Sequence, residues 1–517
     1  MLVQEFLEQS AQRFPEKTAL VHGDHRLSYL TLDELSNRLA HGLAALGVRR
    51  GDRVAVCLDN SVEAVIAIFG ILKAGAVFMM INPTTKAEKL TFILNNSRAR
   101  SAVLHARKTA ELGAEWRPAA FLESVIVVGA LKGGRSCIIP RRVEWLDVLP
   151  QHSGAVQPLP KTCIDADLAA LIYTSGSTGS PKGVMMTHLN IVSAATSITT
   201  YLENRSDDII LNVLPLSFDY GLYQVIMGFK VGGTVVLERS FVYPREVIDR
   251  LVQEKVTGFP IVPTISAILL QMDLSRYDFS SLRYITNTAA ALPPHHIPKL
   301  RKLFPQTQIY SMYGLTECKR VSYLPPDQID VRPTSVGKAI PNEEVYIVDE
   351  QGHRVGPREV GELVVRGSNV MRGYWELPEE TDRVLKPGPL PGEKVLYTGD
   401  LFWTDEEGFL YFVGRKDDII KTRGEKVSPK EVENVLYALD EVVEAAVVGV
   451  PDDVLGQAIK AVIKVREGDS ITQADVLRHC AKHLEDFMVP KIIEFADALP
   501  KTQTGKINKR ILGGVAG

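Results

Sequence analysis

Apolar and polar positions along this chain fall into two successive textures. Early on, apolar residues recur at helical spacing and then gather in short continuous runs. Over 32–46, Leu and Ala return every three to four residues and the stretch stops at Gly47, the pattern of a helix with a glycine cap. A β-branched run beginning at Arg53 and closed by Asp59 and Asn60 predicts a strand. The most apolar stretch, 64–81, is interrupted by Lys73 and contains Gly70 and Gly75, which predicts a buried helix running into a buried strand rather than a bilayer span. The same rhythm returns over 167–304, with strands predicted at 234–237 and 258–262. Helices alternating with apolar strands imply a parallel or mixed sheet covered on both faces.

The texture changes after about Pro333. Runs at 344–349, 361–366 and 408–413 read as short strands separated by turn residues, a small β-rich subdomain. Gly414-Arg-Lys-Asp-Asp418 is a charge cluster between strand-like runs and reads as a linker. Beyond it, Ser428-Pro429-Lys430-Glu431 has the form of a capping box with proline at the first helical position, and 442–450 and 458–465 read as strands. The expected fold class is α/β. A large N-terminal domain of mixed β-sheets flanked by helices, with its β-rich subdomain, covers 1–414; a junction covers 415–418; a small α+β C-terminal domain covers 419–517.

Composition narrows the classes. With 59 Lys+Arg against 62 Asp+Glu the net charge is −3, so no basic excess argues for nucleic acid. Five scattered cysteines, none in CxxC spacing, favour neither a disulfide framework nor zinc and fit a reducing, cytoplasmic setting. Glu5 and Glu8 stand where a signal peptide needs a basic start and an apolar core.

The densest chemical signal is Tyr173-Thr-Ser-Gly-Ser-Thr-Gly-Ser-Pro-Lys-Gly183, three glycines and five hydroxyls after an apolar run. Glycines let backbone N–H groups approach an anion, hydroxyls add donors and Lys182 adds a point charge, so the segment reads as a phosphate cradle. By composition alone it also reads as a surface loop. A Walker loop from Gly176 fails at Pro181; around Gly505-Lys506 it fails at Pro500 and Ile507; and no GxGxxG occurs.

Residues 173–183 resemble the signature loop of the adenylate-forming superfamily: acyl-CoA synthetases, adenylation domains of nonribosomal peptide synthetases, and luciferases. Leu27-Ser-Tyr29, Leu72-Lys-Ala-Gly75, Tyr313-Gly-Leu-Thr-Glu317, Gly361-Glu-Leu363, Tyr397-Thr-Gly-Asp400, Gly414-Arg-Lys-Asp-Asp418 and Pro500-Lys-Thr-Gln-Thr-Gly-Lys506 follow in that family's order across essentially the whole chain. The resemblance implies attack of a carboxylate on the α-phosphorus of ATP, release of pyrophosphate, and displacement of AMP by a thiol. It implies that Thr174, Ser175, Gly176, Ser177, Thr178, Gly179 and Lys182 hold phosphates, and that Glu317 holds Mg²⁺. Tyr313 would stack on adenine, with Gly314 and Thr316 in the same motif and Thr288 and Ala289 at the adenine edge. Asp400 would accept from the ribose hydroxyls, reinforced by Arg415. Lys506 would bridge carboxylate and α-phosphate, with Thr174 and Glu317 the other catalytic groups; as a bare feature, Lys506 reads equally as part of a solvated basic face. Asp417 corresponds to a hinge about which a mobile C-terminal domain turns between half-reactions, and Gly424 to the pantetheine path.

For the acid, the resemblance points to Phe218, Asp219, Tyr220, Tyr223, Pro260, Asn287, Met312 and Arg320. Asp219 corresponds to the aspartate that meets the α-ammonium in amino-acid-activating relatives, which tilts the reading toward an amino acid, the alternative being that it pairs with Lys319 or Arg320. Gln224, Met227 and Cys318 read as core. The segment 313–323 resembles stand-alone amino-acid ligases that load carrier proteins in secondary metabolism, and also acyl ligases of exosortase and polysaccharide loci. No carrier-protein serine motif is seen, so the thiol is expected from outside, either phosphopantetheine of a separate carrier protein or CoA. The leading expectation is activation of a small amino acid for a carrier protein; the alternatives are an acyl- or aryl-CoA ligase and a silent scaffold. The intact Lys182, Glu317, Asp400 and Lys506 argue against the last.

Overall fold

Two large sheets share one apolar core, and Thr174, Lys182, Tyr313, Glu317, Asp400 and the residues expected to receive the acid lie on or beside their strands. The structure is a computed structural model that describes all residues except 114–115, 118–119, 131–139, 176–180, 423–424, 453–454, 502–506 and 514–517. The first sheet begins with the hairpin Thr18–His22 and His25–Ser28. It continues through parallel strands Thr234–Leu237, Ile209–Asn212, Gly258–Ile261, Tyr284–Asn287 and Gln308–Tyr313. It then turns antiparallel through Ser322–Leu324, Ser335–Ala339, Leu410–Arg415, Lys394–Thr404, Gly361–Gly367 and Glu343–Val348. The β-rich texture after Pro333 is thus the antiparallel half of a continuous sheet.

The second sheet runs through Gly373–Tyr374, Pro181–Thr187, Leu168–Ser175, Val77–Met80, Arg53–Cys57, Ala99–His105, Ser124–Val128 and Arg142–Glu144. Its neighbouring helices form where the apolar spacing places them. Tyr29–Ala45 is capped by Ser28, whose hydroxyl accepts the Thr31 N–H at 3.2 Å. Val62–Lys73 is apolar on nearly every side and buried, and the chain reverses into Val77–Met80 at Gly75, where φ is +72°. Lys73, which breaks the apolar run in the sequence, is buried and ion-paired with Asp33 at 2.6 Å.

A third sheet holds Glu425–Val427, Ile420–Thr422, Gly456–Val465, Val442–Asp452 and Ile492–Phe495, packed against helices Pro429–Leu436 and Gln473–His483. Leu410–Arg415 closes in the first sheet and Ile420–Thr422 opens in the third, so Gly414 and Arg415, expected in the linker, are strand residues and only 416–418 of the charge cluster lies between the two sheets. The expected capping box is made on one side: the Ser428 hydroxyl accepts the Glu431 N–H at 3.4 Å and donates to the Val413 carbonyl. That second bond ties the start of the helix to the end of the first sheet.

Candidate active site

The candidate residues follow the carboxyl ends of the parallel strands, where open α/β sheets place ligands. Phe218 and Asp219 follow Ile209–Asn212; Thr288 and Ala289 follow Tyr284–Asn287; Gly314 to Arg320 follow Gln308–Tyr313, where the sheet changes from parallel to antiparallel. The turn at 314–320 is tight. Lys319 N–H donates to the Leu315 carbonyl at 2.7 Å, Val321 N–H to the Tyr313 carbonyl at 3.0 Å, and Lys319 has φ +67°. A Cβ on Gly314 would stand 2.4 Å from the Lys319 carbonyl oxygen, so only glycine fits there. Asn369 holds the turn from behind, donating to the Cys318 and Arg320 carbonyls at 2.8 and 3.0 Å.

The two flanks of the Ser/Thr/Gly segment lie on paired strands. Strand Leu168–Ser175 pairs with Pro181–Thr187, setting Thr174 opposite Lys182 and Ser175 opposite Pro181. Gly176, Ser177, Thr178 and Gly179 lie outside the described residues. Lys182, expected to hold phosphate, is ion-paired with Glu380 at 2.5 Å and lies 5.3 Å from the centre of the Tyr374 ring. The Tyr374 hydroxyl donates to Glu317 Oε1 at 2.7 Å. Tyr374 is delivered by Gly373–Tyr374, which adds to the edge of Pro181–Thr187. Lys182 and Glu317, 135 positions apart, therefore flank one tyrosine. Burial, then the Glu317 charge, pushes that phenol far above its usual pKa.

Glu317 has the donor chemistry for a hard divalent cation, a carboxylate oriented by a hydrogen bond. Among the described residues no three His, Cys, Asp or Glu side chains converge, so such an ion would take its other oxygens from phosphates and water, the usual mode for Mg²⁺. Nearby, the Tyr313 hydroxyl donates to Asp400 Oδ2 at 2.5 Å, and the Tyr313 ring meets Phe402 edge-on at 4.9 Å. Burial, then Asp400, holds the Tyr313 phenol protonated. Asp400 is buried on strand Lys394–Thr404, opposite Arg415 on Leu410–Arg415, with 3.6 Å between Arg415 Nε and Asp400 Oδ1. Thr288 is buried, Ala289 takes φ +75°, and the Asn287 side chain closes that turn by donating to the Ala290 carbonyl at 3.0 Å. Thr316 is half-buried within the 314–320 turn.

The acid-pocket residues also converge. Asp219, Tyr220 and Tyr223 lie on the first turns of helix Asp219–Val231, with Phe218 just before it. The Tyr220 hydroxyl donates to the Thr286 carbonyl at 2.8 Å, and Pro260 is the strand partner of Thr286. Met312 Sδ accepts from the Tyr201 hydroxyl at 3.0 Å, and Tyr201 stacks on Tyr323 at 4.0 Å. The amino-acid role expected of Asp219 meets a competing finding: Lys319 Nζ lies 3.8 Å from its carboxylate and 4.6 Å from the centre of the Tyr223 ring. Of the two partners left open for Asp219, a neighbouring base already stands there. Burial lowers the Lys319 pKa to about 7 against the opposing pull of Asp219. Arg320 is buried over the Tyr220 ring, 5.5 Å from its centre. Gln224, Met227 and Cys318 are core, as expected.

Lys506 and Gly424 lie outside the described residues. Asp417 is exposed in the turn between the first and third sheets. Tyr374, Glu380, Asn369 and Tyr201 were not foreseen; each reaches the site through strand pairing or helix packing, without a local motif.

Among the described residues no helix is long and apolar enough to cross a membrane. The AMP-binding enzyme family matches residues 7–375, and the AMP-binding enzyme C-terminal domain matches 431–506. A long-chain-fatty-acid–CoA ligase of Bacillus subtilis is 31% identical over 99% of this chain and 94% of its own. A linear gramicidin synthase of Brevibacillus parabrevis is 29% identical over 99% of this chain, which spans 6% of that protein. Among solved structures, an anthranilate CoA ligase in complex with anthranoyl-AMP superposes with a TM-score of 0.89 at 28% identity, covering 100% of this chain and 97% of that one.

Proposed function

Because the chain belongs to the AMP-binding enzyme family, and is an adenylate-forming ligase that activates a carboxylic acid, we propose that its acid is small and polar and that its acceptor is coenzyme A. The observation that carries this reading is the Asp219–Lys319 contact at 3.8 Å. An α-ammonium entering here would have to displace a buried lysine and stand beside Arg320, a like-charge arrangement that disfavours it. Tyr220, Tyr223 and Arg320 likewise give the pocket polar, aromatic walls rather than the apolar lining a long alkyl chain requires. The CoA ligases among the similar proteins support CoA as the thiol.

The substrate carboxylate oxygen bonds to the α-phosphorus as the bond to the pyrophosphate oxygen breaks; the thiol sulfur then bonds to the acyl carbon and AMP leaves with the thiol proton released. Both partners of the first step are anions, so positive charge and aimed donors must be in place beforehand. Thr174, Ser175, Gly176 to Gly179 and Lys182 hold the phosphates, Lys182 exchanging Glu380 for them. Glu317, oriented by Tyr374, would hold Mg²⁺, which when bound neutralises phosphate charge. Tyr313, Thr288 and Ala289 enclose the adenine, Asp400 with Arg415 holds the ribose, and Lys506 meets the α-phosphate. The part beyond 415–418 turns about Asp417 to bring Gly424 to the pantetheine path.

The test is product identification by mass spectrometry after incubation with ATP, Mg²⁺, CoA or a phosphopantetheinylated carrier protein, and a panel of acids and amino acids. A CoA thioester of a non-amino acid is expected. An aminoacyl carrier protein with no CoA product would replace this reading with amino-acid loading, the alternative to which Asp219 and the gramicidin synthase similarity point.

A further inference from the structure

Arg320 is one of the largest side chains to be fully enclosed, at 2% exposure, and its charge is unmatched. Lys319 is accounted for by Asp219. Arg320 makes no ion pair with a carboxylate among the described residues, and its Nε has no hydrogen-bond partner. Its company is aromatic: the Tyr220 ring, 5.5 Å from the guanidinium to its centre, and the Tyr201 hydroxyl, which is within side-chain hydrogen-bonding reach of it. A guanidinium keeps its proton at any working pH, so burial leaves a standing positive charge. One aromatic face compensates little of what desolvating that charge costs. A second polar group of the same pocket is also without a partner: the Tyr223 hydroxyl, on a residue 1% exposed, points to no acceptor. Tyr223 follows Tyr220 by one helical turn, and Lys319 stands over both rings. A buried cation with no carboxylate paired to it among the described residues and a buried hydroxyl with no acceptor lie among the residues expected to receive the acid.

Resting on the acid-activating reading above, we propose that the substrate carries a second carboxylate besides the one that is adenylated, held by Arg320 with the Tyr223 hydroxyl as a further donor. A planar guanidinium offers a carboxylate two parallel N–H bonds, and in a water-poor pocket such a pair discriminates strongly against an analogue that lacks the anion. Lys319, beside Asp219, adds a further nitrogen donor among the same residues.

The experiment is ATP–pyrophosphate exchange by the full-length enzyme with α,ω-dicarboxylates from malonate to adipate, the monocarboxylates of matching length, the monomethyl ester of the best diacid, and proline and alanine. The wild type should favour one diacid over its monocarboxylate and its monoester by about tenfold or more in kcat/KM. Arg320→Met should raise KM for that diacid by about tenfold while exchange at saturation stays within about threefold, and Arg320→Lys should recover part of the loss. The monoester comparison needs no variant and so stands whether or not Arg320→Met folds. Preference for a monocarboxylate or an amino acid, equal use of diacid and monoester, or an unchanged diacid KM in folded Arg320→Met overturns the inference. Exchange with monocarboxylates alone does so while leaving acid activation intact; exchange with no acid at all overturns both.

Discussion

Tyr374 connects two groups that nucleotide chemistry needs together. Its hydroxyl donates to Glu317 and its ring lies beside Lys182. A carboxylate that is to hold a cation is oriented by such an outer hydrogen bond, and loss of the bond typically costs about 10- to 100-fold in metal affinity. Tyr374→Phe should therefore raise the Mg²⁺ concentration for half-maximal exchange by about tenfold while the protein melts within a few degrees of wild type; an unchanged Mg²⁺ curve would remove Tyr374 from the site. Glu380 is ion-paired with Lys182, so under the proposed phosphate role of Lys182 it would act in the opposite sense. Glu380→Gln should lower KM for ATP by a few-fold, as a partly exposed ion pair contributes about 1 kcal/mol or less. A raised KM would mean instead that Glu380 positions Lys182.

At the scale of elements, the turn 314–320 gathers several of the candidate site residues, and its geometry depends on Gly314. A methyl group there would stand 2.4 Å from the Lys319 carbonyl oxygen and 2.9 Å from the Arg320 Cα, both backbone atoms that cannot move aside alone. Gly314→Ala should cost about 1–3 kcal/mol as overpacking and displace Glu317, Lys319 and Arg320 together, so ATP and acid KM should both rise in kinetic titrations. A rise in only one would show that the turn is not a single rigid unit. Helix His188–Tyr201 supplies a pH test. His188 is buried and its Nδ1 accepts the Val3 N–H at 3.1 Å, which requires the neutral ring. Burial lowers its pKa to about 4, below the usual 6.5. Between those values the unfolded chain binds a proton the folded one refuses, so the contribution present above pH 6.5 is lost as pH falls toward 4. The shift corresponds to about 3 kcal/mol. The gap in melting temperature between wild type and His188→Gln, which keeps an acceptor but cannot titrate, should change in the variant's favour across that window. A constant gap would assign acid sensitivity elsewhere.

For the whole molecule, what could be read in the chain follows from how each feature is encoded. Helix Tyr29–Ala45, helix Val62–Lys73 and the strands after Pro333 were legible because burial imposes local periods of 3.6 and 2. The segment with Thr174 and Lys182 stood out by its glycine and hydroxyl composition, whereas Glu317 and Asp400 were picked out only by their resemblance to the family's motifs. Tyr374 and Glu380 were not, because they reach Lys182 only through the pairing of Gly373–Tyr374 with Pro181–Thr187, nearly two hundred residues apart in the chain. Asp219, at the start of its helix, and Lys319, in the 314–320 turn, meet only in the folded chain, so the sequence favoured a substrate ammonium for Asp219 while leaving a neighbouring base open. The continuity of the antiparallel half with the parallel half was likewise invisible, since sheet order is a long-range property. Beyond 415–418, the proposed rotation predicts a division of labour. Lys506→Ala should abolish adenylate formation yet leave thioester formation from supplied acyl-adenylate largely intact in a stopped assay of each half-reaction. Equal loss in both would contradict the two-position account.

The claim under all of these is that this site joins an acid to AMP. Exchange of labelled pyrophosphate into ATP by the purified chain with Mg²⁺ tests it most directly. The account predicts label in ATP only when an acid is supplied, and none with acid but without Mg²⁺. Absence of exchange with every acid, or exchange indifferent to acid, would contradict it.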